Sequence, residues 1–194
     1  MKIYFTASIL SKSEYEKQYK AIVESLKKLG HSVISEHILD KDSSQVLSQS
    51  EAEQQRYYRS MLTRITDCDL MVAEVSFPST VHIGHELTLG LEKGKPVLAL
   101  HLAGKRPVLF WGIDSEKFYL AEYGLNNLEE ILADSIEYLS DQQDVRFNFF
   151  VSPKIQQYLD WIAKYKRTPR AVYLRELLEK DMKENKDWKK QKQK

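Results

Sequence analysis

A single cysteine, Cys68, stands in the 194 residues of this chain, so no disulfide can form within it. The expectation is a reducing, cytoplasmic setting. Asp67 and Asp69 flank that cysteine and oppose thiolate formation, which favours a structural role for it. No run of about 18 apolar residues is present, so no helical membrane span is expected. The first residues, Met1 to Ser8, lack the layout of a signal peptide and read as a strand. Net charge is scarce as well, at +1. The zinc-protease pattern His-Glu-x-x-His is missing, because Leu89 stands where a second histidine would follow His85-Glu86. His82 and His85 alone are too few to hold zinc, and neither a metal nor an organic cofactor is expected.

What is present suits a folded core: 42% of the residues are apolar. The small net charge conceals an imbalance. Residues 145–194 carry 14 Lys and Arg against 6 Asp and Glu, which leaves 15 against 22 for residues 1–144. Two parts with different partners, or with each other as partners, follow from that split.

The stretch Asp69 to Gly94 organises the chain. Leu70 to Val75 is an apolar run of the kind buried on both faces of a sheet. A polar turn with Pro78 and Ser79 follows, then Ile83, Leu87 and Leu91 at helical spacing, and Gly94 as a helix stop. Strand, loop and helix in that order place the loop at the carboxyl end of a sheet, where open α/β sheets bind ligands. Glu86 lies just inside this helix and is the candidate catalytic group.

Around that unit the spacing predicts a strand over Lys2–Ala7 and a helix capped by Ser13, with Glu16 completing a capping box. The stripe Tyr15, Tyr19, Ile22, Val23, Leu26 and Leu29 marks its buried face, and Gly30 ends it. A strand over Ser32–Ile38, a mobile loop over Asp40–Ser50 and a helix over Glu51–Thr66 come next. Further strands are expected at Val97–Leu100 and Phe118–Glu122, with an irregular segment between them and a helix over Leu125–Leu139. Alternating strands and helices argue an α/β fold, a Rossmann- or flavodoxin-like doubly wound sheet of five parallel strands, with a small C-terminal β-α-α appendage.

Several of these residues carry a resemblance. Ile3 to Ile9, Ser35 to Ile38, Asp69 to Ser79 and Gly84 to Leu87 are similar to the nucleoside 2-deoxyribosyltransferase superfamily, and more closely to its 2'-deoxynucleoside 5'-monophosphate N-glycosidase branch, over roughly residues 1–140. The resemblance implies an enzyme that cleaves or transfers at the N-glycosidic bond of a nucleoside or its 5'-monophosphate. A carboxylate facing C1' stabilises or attacks the oxocarbenium-like centre there. By the same resemblance Glu86 and Tyr4 are catalytic, with Tyr4 orienting the carboxylate. Ser8, Ile9, His37, Ser79, Gly84 and His85 fall at substrate-binding positions, the serines beside the 5'-phosphate, where hydroxyls and amides near a helix N-terminus suit an anion.

The resemblance departs in three places. The family aspartate that serves the base is replaced by Met61, which can neither protonate nor hydrogen-bond a leaving base. The loop from Ser79 to Glu86 is one residue longer. The usual Gly-x-Gly-Tyr-Glu reads His82-Ile83-Gly84-His85-Glu86. His82 and His85 are candidates for the missing acid, because histidine changes charge near neutral pH.

From Val145 the character changes. Residues 146–151 read as a strand, Ser152-Pro153 as a cap and first helical residue, and Ile155, Leu159 and Ile162 as a helix. Thr168-Pro169 repeats the cap, and Ala171, Leu174, Leu178 and Met182 give a second helix. This resembles a ribbon-helix-helix module, which implies pairing of two chains and duplex DNA as a further partner, with Arg146 and Asn148 at base edges. The expected organisation is therefore residues 1–143 as the deoxyribosyltransferase-like domain, 144–183 as the dimerisation module of a homo-oligomer, and 184–194 as a lysine-rich tail. A catalytically impaired nucleotide sensor or a DNA-binding regulator is the rival to the enzyme. A nicotinamide-nucleotide glycohydrolase is a third reading that nothing in the sequence selects.

Overall fold

A computed structural model describes residues 1–141, 150–166 and 168–186. The chain divides into two compact units, Met1–Asp144 and Val145–Lys194.

The first unit is built on five parallel strands: β1 (Lys2–Ala7), β2 (Ser32–Ile34), β3 (Leu70–Glu74), β4 (Val97–Leu102) and β5 (Phe118–Tyr123), in the order β2-β1-β3-β4-β5. Between and after them run α1 (Lys12–Lys28), α2 (Glu36–Leu39), α3 (Ser43–Leu47), α4 (Glu51–Asp67), α5 (Val81–Glu92) and α6 (Leu128–Asp141). This is the doubly wound sheet that the alternating pattern predicts, with the strand order of the flavodoxin-like type. Alternation along β1 and β3 divides the core between two faces. Ile3, Phe5, Leu70 and Val72 pack with Tyr19, Ile22 and Leu26 of α1 and Leu132 and Ile136 of α6. Tyr4, Met71 and Ala73 pack on the other face with Met61 and Ile65 of α4 and Ile83 and Leu87 of α5. Helix α5 lies very close to the sheet: a Cβ added at Gly90 would run into the Met71 sulfur.

Four local expectations are corrected. Helix α1 starts at Lys12 behind Ser11, not at Ser13, and Glu16 is drawn instead to Lys20 one turn on, at 2.8 Å. The second strand stops at Ile34. β2 is an edge strand paired with β1 over only three residues, and Ser35 leaves the extended region, so the chain turns into α2 and brings His37 inward. The Asp40–Ser50 segment is not all loop. Asp42 caps α3, its carboxylate accepting from the Gln45 amide at 2.9 Å while Gln45 Oε1 accepts from the Asp42 amide at 3.1 Å. That reciprocal pair is enough to hold a five-residue helix. Helix α6 begins at Leu128, three residues later than expected.

In the second unit α7 (Pro153–Tyr165) is capped by Ser152, whose hydroxyl accepts from the Ile155 amide, with Pro153 at its first turn. Helix α8 spans Arg170–Glu184, and its cap position is Pro169 itself rather than Thr168. Tyr158 and Tyr173 meet at 3.0 Å, and Asp160 pairs with Arg170, so polar contacts join the two helices; Leu159 and Ile162 of α7 are buried. Of the expected strand, Phe150 and Val151 adopt no strand geometry. Arg146 and Asn148 lie outside the described residues.

Candidate active site

A cleft of about 390 Å3 opens at the carboxyl end of the sheet, above β1 and beside the start of α5. That size suits a small organic ligand. Its floor and walls come from four places: the β1 exit (Ala7, Ile9, Leu10), the α2–α3 segment (His37, Ile38, Val46, Leu47, Gln49), α4 (Gln54, Tyr57, Tyr58, Met61) and α5 with its cap (Thr80, His82, Ile83, His85, Glu86).

Glu86 is buried, at 6% exposure, and is the one carboxylate among the described residues that line the cleft. Alternate residues of β1 reach it from below. Tyr4 Oη donates to Glu86 Oε2 at 3.0 Å, and the Thr6 hydroxyl is a second side-chain hydrogen-bond partner. Burial pushes the Glu86 carboxyl above its ordinary range. The Thr6 and Tyr4 hydrogen bonds and the nearby His82 and His85 pull it back. The group is thus a carboxylate held out of water yet supplied with donors, the condition under which its charge acts most strongly on a neighbouring positive centre. The Tyr4 phenol is pushed up in turn, first by burial and then by Glu86, so it stays a donor.

His37 stacks on the Tyr4 ring at 4.8 Å with 11° between the planes. It is 3% exposed, and neither ring nitrogen has a partner. Burial lowers it to about 3, with Arg64 and Lys41 adding to the effect, so it is a neutral imidazole with one free donor and one free acceptor at the cleft. Tyr57 is pushed up to about 12 by burial and by the charge of Glu86. At the rim, Tyr58 Oη lies 3.4 Å from His85 Nε2, and the two rings are stacked.

The structure thus brings Glu86, His37, Ile9 and His85 to one cleft, with Tyr4 buried behind Glu86 and hydrogen-bonded to it. Ser8, Ser79 and Gly84 do not line it. Ser8 is buried in the turn into α1, where its hydroxyl accepts from the Ser11 amide at 3.2 Å. Ser79 is half-buried beside Thr80, which caps α5 without a side-chain hydrogen bond of its own and lines the cleft. Sequence reasoning did not reach Gln54, Tyr57 and Tyr58. Their signal was there: each lies within two helical turns of Met61 on α4. Among the described residues no group of three His, Cys, Asp or Glu converges as metal ligands.

A second buried carboxylate lies on the opposite face of the sheet. Glu74 at the end of β3 accepts from Ser76 Oγ and, at 3.4 Å, from Tyr123 Oη. Burial raises it to about 7 against the pull of both hydroxyls.

No protein-family model matches the chain. It is similar to a protein named as a 2'-deoxynucleoside 5'-phosphate N-hydrolase in Syntrophotalea carbinolica, 30% identical over 139 residues that cover 70% of this chain and 94% of that one. The 5-hydroxymethyl-dUMP N-hydrolase of Rattus norvegicus is 29% identical over 134 residues, 67% of this chain and 81% of its own length. A protein of the former name in Thermofilum pendens is 26% identical over 147 residues, 71% and 99% of the two chains. Among solved structures, the CMP N-glycosidase of Clostridium botulinum covers 69% of this chain and 99% of its own, with a TM-score of 0.49 and 14% identity.

Proposed function

The chain belongs to the 2'-deoxynucleoside 5'-phosphate N-hydrolase family and is an enzyme of N-glycosidic bond cleavage, and on that premise we propose that its cleft holds a deoxynucleoside 5'-monophosphate with C1' against Glu86. The observation that carries this reading is the pairing of a buried, donor-supplied carboxylate with a cleft of nucleotide size. Glu86 in its ionised form attacks C1' as the C1'–N bond opens, giving a glycosyl ester that water then hydrolyses. Tyr4 and Thr6 fix the carboxylate and donate to it. His37, neutral and unpaired, turns its ring nitrogens to the sugar or base. Ser79 precedes α5, Gly84 lies in its first turn, and Ser8 and Ile9 form the turn after β1; these hold the 5'-phosphate through hydroxyls and amides. Base release measured by chromatography from deoxynucleosides, their 5'-monophosphates and the ribonucleotides tests this. Release is expected from a deoxynucleoside 5'-monophosphate and not from Glu86→Ala. Release that persists in Glu86→Ala contradicts the assignment.

The second unit is assigned to pairing between two copies of the chain. Tyr158, Trp161, Tyr165, Leu177 and Leu178 on its two helices are substantially exposed, and exposed apolar side chains of this kind suit a partner surface. Duplex DNA as a partner of that dimer is supported by the basic balance of residues 145–194. Removing residues 145–194 is expected to turn the dimer seen by light scattering into a monomer of the shortened chain, and a shortened chain that still scatters as a dimer contradicts the pairing role.

A further inference from the structure

We propose that His85 is the acid that protonates the departing base, with Tyr58 as its positioning residue. The assignment deepens the glycosidase reading and rests on it. When the C1'–N bond breaks, its electron pair moves to the base, and a base that must leave as an anion leaves slowly. A proton supplied in the transition state speeds such steps about 10²- to 10⁴-fold.

The cleft restricts which group can supply it. Glu86 is the one carboxylate among the described lining residues, and it is engaged at C1' as an anion. Met61, facing it from α4, has no exchangeable proton. His37 is neutral and enclosed, lowered to about 3 by burial, Arg64 and Lys41, so it has no proton to spare near neutrality. Tyr57, pushed up to about 12, is a weak acid. Two histidines at the start of α5 remain. His82 has no hydrogen-bond partner among the described residues. His85 has one from the opposite wall: Tyr58 Oη is 3.4 Å from Nε2, with ring centroids 6.0 Å apart and planes 18° apart. Its exposed position lets it reload from solvent.

The pairing also decides which nitrogen acts. The imidazolium donates Nε2–H to Tyr58 Oη and keeps Nδ1–H for the base. After transfer the neutral ring retains its proton on Nε2, still held by Tyr58. The titratable groups around His85 are Tyr58 from α4, and His82 and Glu86 on its own helix. Glu86 feels both histidines as positive neighbours. In the second half, water bonds to C1', the C1'–O bond to Glu86 breaks, and the proton from water returns to Nδ1. The sum is nucleotide plus water to free base plus 2-deoxyribose 5-phosphate.

The test compares release of a natural base from its deoxynucleoside 5'-monophosphate with release of phenolate from 4-nitrophenyl 2-deoxyribose 5-phosphate, whose leaving group needs no proton. His85→Gln is expected to lower kcat about 100-fold or more on the natural substrate and less than about tenfold on the phenyl one. Tyr58→Phe is expected to cause a smaller loss on the natural substrate and to move the descending limb of its pH profile. Equal losses on the two substrates, or a His85→Gln rate on the nucleotide within about threefold of wild type, overturn the acid assignment. Glu86→Ala should abolish both reactions. A wild-type protein inert on both substrates, or a Glu86→Ala variant active on both, overturns the glycosidase reading and the His85 role with it. Thermal melts confirm that each variant is folded.

Discussion

Tyr4 and Glu86, 82 residues apart in the chain, share a 3.0 Å hydrogen bond in the floor of the cleft. The bond joins the third residue of β1 to the second turn of α5, and it ties the charge of the carboxylate to the sheet. Tyr4→Phe removes a donor from an already desolvated group. Hydrogen bonds to charged groups are worth about 1.5–3 kcal/mol, so a loss of about 10- to 100-fold in kcat/KM is expected. The sign of the pH effect follows from the same bond. Its removal leaves burial less opposed, the Glu86 carboxyl rises further, and the ascending limb of the pH–rate profile moves to higher pH. A profile that does not move contradicts the role given to Tyr4.

Glu74 makes a stability prediction away from the cleft. Its carboxyl is at about 7 in the folded protein, against an ordinary value of 4.5. The fold therefore prefers the protonated form. The associated stability is fully present below about pH 4.5 and is lost as pH rises toward 7, with a magnitude of about 3 kcal/mol. Glu74→Gln keeps the shape and cannot ionise, so urea unfolding of that variant should vary less across this window than wild type does. At pH 8 the variant should be the more stable of the two.

Gly90 sets how closely α5 approaches the sheet, because an added Cβ meets Met71. Gly90→Ala is expected to cost about 1–3 kcal/mol through overpacking. Differential scanning calorimetry of Gly90→Ala and of Gly90→Ala with Met71→Ala checks the cause: the second change should recover part of the loss.

Lys12 ties the covering segment of the cleft to α1. Its ammonium donates at 2.6 Å to the carbonyls of Leu39 and Lys41, on either side of the turn that leads into α3. Lys12→Met should speed amide exchange over residues 39–47 and raise KM more than it lowers kcat, because Val46, Leu47 and Gln49 line the cleft.

Much of this was legible before the structure. Apolar runs located β1, β3, β4 and β5, and the positive φ of Gly30 and Gly94 matches their reading as helix stops. Glu86 was found from its place in a strand–loop–helix unit. The misreadings came where tertiary contacts outweigh local pattern. Ser32 to Ile38 reads as one strand, yet β1 pairs with β2 over only three residues and His37 gains a stacking partner by turning inward. The α3 capping box was visible as Asp42 and Gln45 but lacked an apolar stripe to draw attention to it. The Glu74–Tyr123 contact joins residues 49 apart and left no trace in spacing.

The central claim is that Glu86 acts at C1'. The measurement that addresses it most directly is single-turnover base release by wild type and Glu86→Gln, with nucleotide affinity determined in parallel. Glutamine keeps the size of the side chain and removes its charge and nucleophilic oxygen. The account predicts a fall in the rate of about 10³-fold or more, with affinity changed only a few-fold. A Glu86→Gln variant that releases base within about tenfold of wild type would contradict it.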